Sequence, residues 1–84
     1  MRRMSHFMLI DEDHHVYIGN SFTSVADDYA GGDVAKLGSI LNVLTGHPRF
    51  DLRVIIFFED GSHLNSFDDD MSDYSFGIVE QKKE

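Results

Sequence analysis

The sequence predicts an α+β fold of two layers, a mainly antiparallel sheet of four or five strands with one main helix across one face. Three observations predict it. Val54 to Phe58 are five consecutive apolar residues, all β-branched or aromatic, as in a strand buried on both faces. Asp60-Gly61 then supplies the positive-φ pair of a tight hairpin turn, and the chain returns through His63 to Phe67. Upstream, Val34, Leu37, Ile40, Leu41 and Leu44 recur at the spacing of one apolar helical stripe.

In chain order the elements read β-β-α-β-β-β. His6 to Ile10 and Val16 to Phe22 form two strands joined by the turn Asp11-Glu12-Asp13-His14-His15. In the second, Val16 and Ile18 share one face while Tyr17 and Gly19 take the other. Ser24 reads as the N-cap of a short helix or turn, with Asp27 well placed against the helix dipole. Gly31-Gly32 interrupts it, and Asp33 caps the main helix, about residues 33–45. Gly46 closes that helix and Pro48 prevents its resumption. His47 is expected to cap the last carbonyls, and His63 to pair with Glu59 or Asp60. After the Val54–Phe58 hairpin and an acidic loop, Tyr74 to Glu80 form a last strand.

The whole chain, 1–84, is expected to be one domain with frayed ends at 1–4 and 81–84. It has no cysteine, which excludes disulfides, thiolate metal sites and cysteine nucleophiles. Arg2 and Arg3 before a short apolar run imitate the start of a signal peptide. Asp11-Glu12-Asp13 ends the run without a cleavage site, so the segment reads as a strand and the chain as cytoplasmic. No apolar stretch approaches the roughly 18 residues of a membrane span.

Charge is the most informative bulk property. The formal net charge is −8, and between residues 11 and 73 thirteen acids face only Lys36, Arg49 and Arg53. Direct binding to nucleic acid or to an anionic membrane is therefore disfavoured, because phosphate contacts need lysine and arginine. A basic protein surface is the expected partner. The acids gather at 11–13, 27–33 and 59–73, all in turns or at helix starts. If the turns share one rim, the carboxylates form a negative ridge that stands where phosphates would lie in a basic groove. Small phage and mobile-element inhibitors of nucleases, restriction enzymes and CRISPR effectors use that device. The expected contacts are Glu59, Asp60, Asp68, Asp69, Asp70 and Asp73, with Asp11, Glu12 and Asp13 next.

Two other readings follow from other residues. One helix covers one sheet face, so Ile55 and Phe57, with Leu64, are expected to form an apolar patch suited to a homodimeric structural or regulatory subunit. Asp11, Asp13 and His15 are the best metal-ligand candidates, although solvated hairpin turns commonly carry such residues. Asp68-Asp69-Asp70 lacks the spacing and glycine of a calcium loop. No nucleophile–base motif or phosphate-binding loop stands out, so neither an enzyme nor a bound cofactor is expected.

Overall fold

The structure of the chain is a computed structural model that describes residues 3–69 and Met71. It contains β1 (Met4–Asp11), β2 (Val16–Gly19), α1 (Phe22–Ala30), α2 (Val34–Leu44), β3 (Leu52–Phe58) and β4 (His63–Asn65). All the pairings are antiparallel, and the strands lie in the order β2-β1-β3-β4. The class is therefore the expected small α+β fold, with two helices between the hairpins. The strand expected over Tyr74–Glu80 lies outside the described residues.

Side-chain alternation builds the core. Phe7 and Leu9 of β1 stand opposite Ile56 and Val54 of β3, and all four are fully buried. Leu52 and Phe58 extend this face, and Val25, Ala26, Ile40, Val43 and Leu44 cover it from the helices. A register shift between Met4 and His6 lets Met4 pair with Phe58 and pack against the same core.

Met8, Ile10, Val16, Ile18, Ile55 and Phe57 point to the opposite face. There Ile55 is buried, Phe57 is half-buried, and the open side chains are Val16 and Ile18, each more than half exposed. Leu64 does not belong with them. It pairs with Ile56 and packs against the core, so the β4 residues beside Ile55 and Phe57 are Asn65 and His63. The expected patch thus lies toward β2, because the sheet continues past β1 with two β-branched residues.

Local details correct other expectations. β2 ends at Gly19, and Phe22 opens a helix instead of closing a strand. Ser21, not Ser24, is the N-cap of α1, and its hydroxyl accepts the Ser24 amide at 3.2 Å. Phe22 fixes this start by meeting the Phe7 ring edge-on at 5.2 Å. Asp33 does cap α2, accepting from the Ala35 amide at 2.9 Å. The buried residues of α2 are Ile40, Val43 and Leu44 with Leu37 half-buried, while Val34 and Leu41 are exposed. The helix rolls Val43 inward in their place. In the β3–β4 turn only Gly61 takes a positive φ, at 90°, after a Phe58–Gly61 hydrogen bond. The Phe58 amide donates to the Ser62 carbonyl at 2.9 Å, closing a three-residue loop over Glu59, Asp60 and Gly61, and the Asp60 carboxylate accepts the Ser62 amide and hydroxyl. No helix among the described residues is long and apolar enough to cross a membrane.

Candidate functional site

The β1–β2 turn is organised by Asp11. Its Oδ1 accepts the amides of Asp13 and His15, each at 2.9 Å, and Oδ2 lies 3.3 Å from His15 Nδ1. His14 completes the reversal with φ 66°, the left-handed region that few side chains adopt. Partial burial alone would raise the Asp11 carboxyl, but the two amides and the His15 ring outweigh it and hold it below the ordinary value. Asp11, Asp13 and His15 each bring one ligand-type atom within 4.8 Å of the others. Asp11's own turn accounts for that proximity: both carboxylate oxygens already have partners inside it.

Strand direction decides where the other acids go. Asp11 pairs with Leu52 and Met4 with Phe58, so the β1–β2 turn and the β3–β4 turn lie at opposite ends of the sheet. Glu59 and Asp60 therefore do not share a rim with Asp11, Glu12 and Asp13. Glu59 instead lies 3.9 Å from exposed Arg3. β4 runs back toward the first end, and beyond Asn65 the chain places Asp68 and Asp69 in a hollow with Gly46 and Pro48, in the loop that enters β3 from that end. Asp69 Oδ2 accepts the Asn65 amide at 2.9 Å, and Asp68 Oδ2 lies 3.4 Å from Asn65 Nδ2. Asp70 and Asp73 lie outside the described residues.

Asp51 stands at this same end, at the start of β3. Arg49 Nε and Nη2 donate to its two oxygens, each at 2.9 Å. That fork holds the Asp51 carboxyl below its ordinary value and raises the Arg49 guanidinium. Tyr29 meets Tyr17 edge-on at 5.4 Å. Burial raises its phenol, and the charges of Asp51 and Asp11 push it further in that direction. One end of the sheet thus collects Asp11, Glu12, Asp13, Asp51, Asp68 and Asp69. Three strand spacings of about 4.8 Å separate its corners, roughly 15 Å.

Aromatic residues at this end had no signal in the sequence pattern. Phe50, in the loop before β3, is wholly exposed, and Phe67 is half exposed. They line a hollow of about 360 Å³ with Pro48 and Arg49. Arg53 lies 5.3 Å over the Phe67 ring and donates to Asn65 Oδ1 at 3.2 Å. A lone phenylalanine between Arg49 and Asp51 has no periodic neighbours, so only the fold shows that it lines a hollow with Phe67.

The remaining histidines do local work. The His47 amide and the Thr45 hydroxyl, not the His47 ring, bond the last carbonyls of α2. His63 lies against Phe57 with ring centroids 6.1 Å apart. Ser5 Oγ is 2.7 Å from His6 Nδ1, yet no carboxylate is hydrogen-bonded to that imidazole among the described residues. Comparison with known protein families, with curated proteins and with solved structures finds no match.

Proposed function

We propose that the chain is a protein-binding module that engages a basic surface through the acidic end of its sheet. We further propose that it acts as an inhibitor, its carboxylates occupying positions that nucleic-acid phosphates would take on the partner. One observation carries this reading. Strand direction brings Asp11–Asp13 and Asp68–Asp69 to one end, where hydrogen bonds to backbone amides hold Asp11 and Asp69. Carboxylates held by the fold meet a basic groove without the ordering cost that mobile side chains carry. Glu59 and Asp60 fall outside the contact, at the other end.

The test is capture of a partner from lysate by the immobilised chain, followed by challenge with duplex DNA and with salt. The partner is expected to leave when DNA competes, and at an ionic strength of about 1 M, where the screening length is about 3 Å. The triple variant Glu12→Gln, Asp13→Asn, Asp68→Asn is expected to capture less of it. A partner held equally well by parent and variant, and indifferent to DNA and salt, overturns the reading.

A second reading rests on the open sheet face. Met8, Ile10, Val16, Ile18, Ile55 and Phe57 share it, and among the described residues none of its strand positions carries a carboxylate. In a chain of net charge −8 that is a distinct surface, and a homodimeric subunit would use it. Asp11, Asp13 and His15 remain the residues that would hold a divalent metal.

A further inference from the structure

The hollow lined by Phe50 and Phe67 neighbours a second one of about 320 Å³, and the two share Pro48 and Phe67 as walls. As a groove of two parts they present Phe50 on one and Asp68 and Asp69 on the other. Each part falls within the range of volumes, about 300–1,000 Å³, that ligand sites commonly show. The two guanidiniums beside it are already engaged. Arg49 is forked onto Asp51, and Arg53 is bonded to Asn65 and stacked on Phe67. The carboxylates are not saturated. Asp68 and Asp69 use only Oδ2 toward Asn65, and Oδ1 of each has no partner among the described residues.

We propose that this groove receives a lysine- or arginine-bearing segment of the partner protein. One apolar side chain of that segment lies between Phe50 and Phe67, and the neighbouring cation meets Asp68 and Asp69. The proposal rests on the reading of the acidic end as the binding surface, and it names the chemistry that end recognises. Apolar anchors ringed by charge are the usual anatomy of a contact in which a few residues dominate affinity. Charge decides against other occupants. A phosphate backbone would meet two carboxylates, and a second copy would bring a chain of net charge −8 toward them.

The test uses the full chain, isotope-labelled, titrated by NMR with two short synthetic peptides. One alternates arginine with leucine, the other arginine with serine. The arginine–leucine peptide is expected to bind about tenfold more tightly and to shift the amides of Phe50, Phe67, Asp68 and Asp69. Phe50→Ala is expected to reduce its binding to the level of the serine peptide. The Phe50 ring is wholly exposed, so this variant keeps the parent spectrum elsewhere. Equal binding of both peptides, unaffected by Phe50→Ala, overturns the groove while leaving the acidic end intact if Asp68→Asn with Asp69→Asn weakens both. Absence of binding by either peptide overturns both readings. Self-association that Phe50→Ala abolishes assigns the groove to a second copy and overturns the proposal.

Discussion

Asp11 illustrates how one side chain serves both structure and charge. Its two oxygens close the β1–β2 turn, and the hydrogen bonds that do so keep it ionised below the usual carboxylate range. Because its folded value is depressed, the stability it contributes is complete above the ordinary value of 3.8 and is lost as pH falls below that value. Asp51, depressed by Arg49, contributes in the same window. Thermal melts between about pH 2 and 6 test this. Asp11→Asn is expected to melt lower than the parent at pH 6 and to show a shallower fall on the acid side. Parallel profiles would mean that Asp11 carries no linkage. Asp11, Asp13 and His15 lie close together, since a five-residue turn leaves them little room to separate. What the sequence did not reveal is that Asp11's oxygens are engaged within the turn, because that depends on dihedral angles such as the φ of His14.

At the scale of elements, the rules that worked were periodic ones. Alternation put Val54, Ile56 and Phe58 under the helices and separated Val16 and Ile18 from Tyr17. The rules that failed concerned boundaries. Ser21 and Ser24 are both plausible caps in sequence, and the choice falls to the contact of Phe22 with Phe7, a residue on another element. Urea unfolding distinguishes them: Ser21→Ala is expected to cost about 1 kcal/mol and Ser24→Ala much less. The reverse ranking would move the helix start. Val34 and Leu41 fit an apolar stripe yet lie exposed, because α2 packs partly on α1 and turns Val43 to the sheet. A stripe read from one helix cannot show how that helix is rolled.

For the whole molecule, the main result is segregation of charge. Among the described residues both helices lie on one side of the sheet, no strand position of the open face carries a carboxylate, and that face keeps Arg53, His6 and His63 among apolar residues. The sequence could report that acids cluster in turns, but not which end of the sheet each turn reaches. That is set by β3 running antiparallel beside β1, a pairing between distant segments. Sedimentation tests the open face as a contact between copies. A dimer of the parent that Ile18→Glu separates into monomers is expected if the face is used, and Ile18 is exposed enough for that variant to fold. A parent that sediments as a monomer removes that reading. Ile55→Glu is the poorer probe, because Ile55 is buried in the fold itself.

The position of β1 has a consequence for synthesis. It precedes the other described strands in the chain, yet it occupies the interior of the sheet, flanked by β2 and by β3. The β1–β2 hairpin closes locally, within a few residues. The other edge of β1 has no partner until Leu52 to Phe58 have left the ribosome, and closing that longer loop carries the larger entropic cost. During that interval a half-made chain offers a bare strand edge beside Phe7 and Leu9. Until β3 arrives, that edge is open to pairing with a neighbouring chain.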